Sequence, residues 1–303
     1  MASDRISIFD FVLPVTIPRK GEVLTALTHF WLMNVLKGIP DHLVSDMEAS
    51  NFNRVIEFGQ LYPDIPIERT LVVRKLNMIP YEFVYRAHIG GSVWEKKYLQ
   101  GKPVAGIQLP PGLTKWQQLE KPLFTPTTKS ETGHDEDVTQ AEFFAATGEV
   151  GREAEGLARS AYEQPYQYAK RRGIEILDTK LEIGVDESGN VVLADEVVTP
   201  DSSRFTTTED LTAALKEGRD LIFYDKEPVR VWGKTVQTPF QDEEGKTIVG
   251  INKLKPENDE HVAFVHRLTV PVDVVQQCTE RYLDIFQRLV VDDLETYQNK
   301  HLF

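Results

Sequence analysis

The chain has 303 residues, with 34 lysines and arginines against 47 aspartates and glutamates, a net charge of −13 at neutral pH. That balance excludes general electrostatic binding to DNA, RNA or an anionic membrane, which needs an excess of basic side chains, but it leaves room for a local cationic pocket. The single cysteine excludes an intramolecular disulfide framework and a cysteine-built zinc site, and no run reaches the roughly 18 apolar residues of a membrane-spanning helix.

Residues 4–20 read as extended chain leading into Lys20-Gly21; Asp4 and Arg5 interrupt any signal-peptide core, so the cytoplasm is the expected compartment. From 22 to 36, Val23, Leu24, Leu27, Phe30, Trp31 and Val35 recur at helical spacing and form one buried stripe, closed by Gly38 and Pro40. Residues 70–76 and 82–89 are β-rich runs separated by Asn77-Met78-Ile79-Pro80. A polar, proline-rich stretch over 101–138 reads as a long loop, of the kind that is functional or disordered. Thr139-Gln140-Ala141-Glu142 is a capping-box pattern that starts a helix. A helical segment from about 152 to 172 contains Pro165, where a kink or restart is expected because an interior proline costs ~3 kcal/mol. Residues 174–185 and 191–198 are two strands joined across Glu187-Ser188-Gly189-Asn190. The final helical run, from Asp273, aligns Val274, Val275, Cys278, Tyr282, Phe286 and Leu289, which makes Cys278 a core thiol.

The chemistry concentrates on the first of those two strands. Side chains alternate across a strand, so Asp178, Lys180 and Glu182 share one face. If Ser188 and Gly189 are the turn residues, Glu182 lies directly opposite Asp195. Like charges in that position repel, and a hard divalent cation between them relieves the repulsion. A turn at Gly189-Asn190 shifts the register and weakens that argument, and a solvated polar strand face is the plain alternative. Two groups read as anion sites. Arg86, His88, Gly90, Gly91 and Ser92 end a strand in a glycine turn, and Asp201-Ser202-Ser203-Arg204 sets another arginine beside hydroxyls. The seven histidines show no metal-ligand spacing, and His134-Asp135 reads as a structural polar pair.

The sequence resembles the SAICAR synthetase family in collinear motifs: DRISIFDFVLP at 4–14, Lys20-Gly21, IPDHL at 39–43, RKLNMIPYEFVYR at 74–86, GGS at 90–92, FTPTTK at 124–129, GHDE at 133–136, DTKLEIG at 178–184 and ADEVVTPDSSRF at 194–205. The resemblance implies an α+β fold in two lobes, similar to ATP-grasp and protein-kinase architectures. Residues 1–80 would be the remainder of an ATP-binding lobe, and 81–303 a lobe with the ribotide and metal site. Residues 234–267 match no pattern of the family and read as an insert, in the form of a hairpin. The resemblance implies an ATP-dependent ligase of purine biosynthesis, joining carboxyaminoimidazole ribotide (CAIR) to L-aspartate with release of ADP and phosphate.

It further implies roles for particular residues. Glu182 and Asp195 would bind Mg2+ carried with ATP. Arg86, Ser92, Ser203 and Arg204 would hold the ribotide and its phosphate. Asp178 and Lys180 would face the ribotide and the reacting carboxylate. Lys75, Leu76 and Met78 would receive adenine at a hinge. Relatives carry a glycine-rich GKxRD segment ahead of the DRIS motif. This sequence opens directly on that motif at Met1-Ala2-Ser3-Asp4, so an incomplete N-terminal lobe without that phosphate cover is expected. A truncated, catalytically impaired ribotide- or nucleotide-binding homologue is the alternative reading.

Overall fold

The structure is a computed structural model and describes residues 1–44, 57, 59–61, 64–129 and 136–302. His134 and Asp135, with most of the GHDE motif, lie outside the described residues. The chain opens with an antiparallel ribbon, β1 (Arg5–Ile8) and β2 (Phe11–Thr16), turned through Phe9 and Asp10 at positive φ. Alternation buries Ile6, Ile8, Phe11 and Leu13. The ribbon feeds α1 (Lys20–Phe30), where the Gly21 N–H donates to Asp4 Oδ1 at 2.7 Å. A single π turn over Trp31–Val35 extends it, and the expected stripe from Val23 to Trp31 is buried.

The run 70–76, expected as a strand, is extended chain held by a bridge between Leu43 and Val73 and by the Arg74 N–H on the His42 carbonyl at 2.7 Å. Strand structure begins only at β3 (Asn77–Met78), then β4 (Tyr81–His88), followed by the short α2 (Gly91–Lys96). The proline-rich stretch is not simply a loop: it contributes β5 (Gln118–Phe124) and β6 (Thr127–Thr128). Pro122 is accommodated because β5 is an edge strand, bonded among the described residues to β4 alone.

The capping box at Thr139 forms in both directions and opens α3 (Gln140–Lys170). Its interruption falls at Gly148 (φ 62°, ψ −138°), not at Pro165, which sits buried within helical backbone. A left-handed φ is open to glycine at little cost, whereas the φ that proline fixes is already helical.

β7 (Ile174–Val185) is the longest strand and organises the seven-stranded sheet. β4 and β3 bond antiparallel along one of its edges; β8 (Val191–Ala194) and β9 (Ser203–Thr207) bond antiparallel along the other. All the described strand pairs are antiparallel, with one isolated parallel bridge from Asp41 to Leu193 of β8, and antiparallel strands with segregated helices are an α+β arrangement. The odd-numbered face of β4 and β7 carries Phe83, Tyr85, Leu181 and Ile183, buried against α3. There Tyr85 stacks on Tyr162 with centroids 5.6 Å apart, and the Tyr162 hydroxyl donates to the Ile176 carbonyl at 2.8 Å. The opposite face is left for Glu82, Arg86, Asp178, Lys180 and Glu182.

Among the described residues the later α-helices are α4 (Thr208–Glu217), α5 (Glu227–Thr235), α6 (Asp259–Val265), α7 (Val272–Val290) and α8 (Leu294–His301). Between α5 and α6, β10 (Gln237–Gln241) and β11 (Thr247–Val249) form the hairpin expected in 234–267. On α7, Cys278, Tyr282, Phe286 and Leu289 are buried as their spacing predicts. One buried apolar cluster runs from Ile6 to Leu302, so the start and end of the chain share a core. Among the described residues no helix is long and apolar enough to cross a membrane.

Candidate active site

Register decides what the polar face of the sheet brings together. Arg86 on β4 and Arg204 on β9 both pair with Asp178 on β7, from opposite sides. Asp178 Oδ2 accepts from Arg86 Nη1 at 2.7 Å and from Arg204 Nη1 at 2.5 Å. Two arginines far apart in sequence thus share one carboxylate oxygen. Burial and Arg204 disfavour the Arg86 charge, and Asp178 supports it; the net effect is a lowered pKa. Arg86 Nε also donates to Thr125 Oγ1 at 3.1 Å. Gly91 closes the group: at φ 60°, a Cβ there would sit 2.9 Å from Arg204 Nη1. Ser92 follows, exposed in the first turn of α2.

Ser203 takes a different position. It pairs with Thr179, one residue out of phase with Asp178, and its buried hydroxyl lies 2.6 Å from that of Thr179. It therefore ties β7 to β9 on the face away from the arginines.

At the other end of β7 the balance is acidic. The hairpin loop is Glu187-Ser188-Gly189, closed by the Asp186 N–H on the Asn190 carbonyl at 3.0 Å with Gly189 at φ 85°. Glu182 consequently opposes Ala194, so the direct Glu182–Asp195 cross-strand pair does not form. Asp195 comes next, in left-handed backbone (φ 53°) that takes it out of the ladder. It remains close enough to act on Glu182. Burial raises the Glu182 pKa, the Asp195 and Glu82 charges add to the rise, and the bonded Lys129 opposes it. Lys129 is itself disfavoured by burial, but Glu182, Asp195 and Glu82 outweigh that and raise its pKa. Lys180 pairs with Glu82 on the same face. Sequence pattern alone does not single out Lys129 or Glu82. Lys129 ends the FTPTTK motif, which was the available signal, whereas Glu82 becomes visible only through the β4–β7 pairing.

These donors suit a hard divalent cation. Burial and the Asp195 and Glu82 charges raise the Glu182 pKa even with Lys129 bonded to it, so added positive charge is favoured at this carboxylate. Among the described residues no group of three or more His, Cys, Asp or Glu converges to hold a metal. The remaining ligands would then come from water and phosphate, which is how Mg2+ is commonly bound with nucleotides.

Beside this locus, β3 lies along the end of β7, with Met78 opposite Gly184 and Asn77 opposite Val185. A Cβ at Gly184 would meet the Leu76 Cβ at 2.8 Å and the Met78 sulfur at 3.1 Å, so the glycine lets this segment approach closely. Lys75 and Met78 are exposed. The edge segment thus ends two residues along β7 from Glu182.

A cavity of about 350 Å3 adjoins Asp195 on its other side, lined among others by Lys20, His42, Arg69, Glu196 and Asp201. Lys20 Nζ lies 2.6 Å from Asp201 Oδ2, and the Tyr282 hydroxyl donates to Asp201 Oδ1 at 2.5 Å. Burial, followed by the Asp201 and Asp195 charges, pushes the Glu196 carboxyl up to about 7, against its hydrogen bond from Thr199 and the charge of Lys20. Burial also lowers the His42 pKa to about 4.

The SAICAR synthetase family model matches residues 1–247. A phosphoribosylaminoimidazole-succinocarboxamide synthase of Neisseria meningitidis serogroup B is 35% identical over 298 residues, covering 96% of this chain and 91% of the relative. The enzyme of the same name from Saccharomyces cerevisiae is 34% identical over 295 residues, covering 95% and 87%. Among solved structures, the SAICAR synthase of Saccharomyces cerevisiae complexed with SAICAR superposes with a TM-score of 0.75 at 30% identity, covering 96% of this chain and 87% of that one.

Proposed function

The chain belongs to the SAICAR synthetase family, and from that premise we propose that the polar face of β7 joins CAIR to L-aspartate at the expense of ATP, as a cytoplasmic ligase of purine biosynthesis. The observation that carries the reading is the polarity of that face: two arginines on Asp178 at one end, and an excess of carboxylates around Glu182 at the other. Asp178 and Glu182 are four residues apart, about 13 Å at ~3.3 Å per residue, with Lys180 between them. A ribotide phosphate held by Arg86, Arg204 and the Gly91-Ser92 turn would present its imidazole carboxylate toward Lys180 and Glu182. Residues 1–80 then supply most of the nucleotide-binding lobe, and Lys75, Leu76 and Met78 edge the adenine site.

A carboxylate is a poor electrophile and an amine does not displace oxide from it. The CAIR carboxylate oxygen therefore attacks the γ-phosphorus of ATP, forming an acyl phosphate and releasing ADP. The aspartate amine then attacks the acyl carbon; phosphate leaves with the C–O bond pair, and the amine's proton passes to phosphate. Mg2+ bound by Glu182 and Asp195 would neutralise phosphate charge as it develops. Lys129 and Lys180 hold the neighbouring carboxylates Glu182 and Glu82 in place and add positive charge along the path of the transferred group. Coverage of 91% of the Neisseria relative favours this over a reduced, ribotide-binding homologue. The test is SAICAR formation from CAIR, ATP, L-aspartate and Mg2+, with each omitted in turn. Turnover requiring all four supports the reading, and ribotide binding without turnover contradicts it.

A further inference from the structure

We propose that Trp116 is a positioning residue for the anion site: its indole sets the Arg204 guanidinium and the Gly90-Gly91-Ser92 turn at the spacing that receives the ribotide phosphate. The proposal rests on the reading of Arg86 and Arg204 as a phosphate site, which gives Trp116 no part.

The contacts of the ring supply the first observation. The Arg204 guanidinium carbon stands over the Trp116 ring, 5.8 Å from its centroid, within the range in which an aromatic face attracts a cation. The same indole bounds the glycine turn: a Cβ on Gly90 would fall 2.0 Å from Trp116 Cζ3, so glycine leaves room for the ring there. Backbone bonds tie the two segments, with the Trp116 N–H on the Ile89 carbonyl at 2.7 Å and the Ile89 N–H on the Gln117 carbonyl at 3.0 Å. A ring face holds a guanidinium without taking up its N–H groups, whereas each bond to a carboxylate takes one. Arg204 gives one to Asp178, and the indole steadies the group while leaving others for an anion.

What Trp116 costs the fold supplies the second. Its backbone is left-handed at φ 67°, an outlying conformation for a bulky side chain. Its buried Nε1–H has no hydrogen-bond partner among the described residues, and an unmet buried donor carries a desolvation penalty. The ring packs on Phe223, with centroids 5.2 Å apart, and on the buried cluster of Leu177, Leu211 and Leu221. That packing accounts for an apolar ring, but it needs neither the indole N–H nor the left-handed backbone. Two local penalties fall on one residue that touches both parts of the anion site, which is where strain of this kind collects. Stability alone would favour another residue at this position; the placing of Arg204 and the turn accounts for the indole.

The experiment has two arms. In the first, the unaltered protein with 15N-labelled tryptophan is titrated with inorganic phosphate. The chain has four tryptophans, and the Trp116 Nε1–H signal is the one missing from Trp116→Phe. Phosphate should shift that signal, and sodium chloride at equal ionic strength should not. A Trp116 signal that stays in place while calorimetry records phosphate binding that Arg204→Ala abolishes overturns the proposal alone. The absence of any Arg204-dependent phosphate binding overturns the anion-site reading along with it. In the second arm, Trp116→Leu should raise the KM for CAIR about 10-fold, in keeping with loss of a partly desolvated cation–π contact, and leave kcat and the KM for ATP within twofold. Trp116→Phe, which keeps an aromatic face, should recover most of that loss. A CAIR KM unchanged in Trp116→Leu, equal losses in the two variants, or a loss shared by the ATP KM overturns the proposal and makes Trp116 a core residue only. If Trp116→Leu does not fold, the titration decides alone. If the unaltered protein shows no turnover, the ligase reading fails, while the titration still reports whether Trp116 responds to an anion on Arg204.

Discussion

The two ends of β7 are built from the same kinds of side chain in opposite proportion. At Asp178 one carboxylate serves two guanidinium groups, at 2.7 and 2.5 Å, and all three side chains are largely withdrawn from water. At Glu182 two lysines, Lys129 and Lys180, serve the three carboxylates Glu182, Glu82 and Asp195, and the Glu182 pKa rises. The first end has surplus positive charge and the second surplus negative charge, and only two turns of strand pleat separate them. A sheet face can thus present an anion site and a cation site to opposite ends of one ligand, with no loop involved in spacing them.

The largest effect should come from removing the acidic end. Glu182→Gln should lower ligase turnover by at least 100-fold while the fold persists, because the change relieves repulsion with Asp195 and Glu82. Chelating Mg2+ from the unaltered protein should abolish turnover reversibly. Near-normal Mg2+-dependent turnover in Glu182→Gln would remove the acidic end from the comparison.

The basic end should respond next, and differently. Asp178→Asn leaves two buried arginines without their shared carboxylate, and breaking a buried charge group of this kind costs about 3–5 kcal/mol. Urea unfolding should show that loss, with part of it recovered in millimolar inorganic phosphate. Equal stability with and without phosphate would mean that no anion binds there. Arg204→Ala should raise the KM for CAIR by about 10- to 100-fold and leave the KM for ATP within twofold. Equal changes in both would erase the distinction between the two ends.

The smallest effect concerns pH. Glu196 has its pKa raised from the ordinary 4.5 to about 7 in the folded chain. Between those values the folded state holds more protons than the unfolded state, so this group's contribution to stability falls as pH rises through that window and is level above it. Glu196→Gln should flatten the decline and raise Tm at pH 8 by about 2–4 °C, the shift expected per kcal/mol for a chain of roughly this size. An unchanged pH profile of Tm between 5 and 8 would count against a buried, proton-binding Glu196.

How much of this was legible in the sequence differs along the same strand. The alternation of Asp178, Lys180 and Glu182 followed from strand geometry alone, and the polar face is as that spacing predicts. Their partners did not follow. Arg86 and Arg204 meet at Asp178 through antiparallel pairing across long separations, which local pattern does not encode. The Glu182–Asp195 pairing was misread by one residue because the hairpin uses a three-residue loop. A one-residue slip changes every cross-strand neighbour. β5 was concealed by Pro122 and by charged residues that only an edge strand tolerates. The interruption in α3 was sought at proline and occurred at Gly148, since a helix tolerates proline's φ better than it tolerates a left-handed residue. Trp116 lies in the proline-rich stretch without a pattern of its own, and its contact with Arg204 is a property of the packed structure.

One measurement tests the central claim, that the basic and acidic ends of β7 hold one ribotide while its carboxylate is activated by ATP. CAIR labelled with 18O in its carboxylate is turned over with unlabelled ATP, L-aspartate and Mg2+, and the released phosphate is analysed by mass. The account predicts one 18O in each phosphate, carried from the carboxylate through the acyl phosphate. Phosphate without 18O, released in step with ADP, would contradict it.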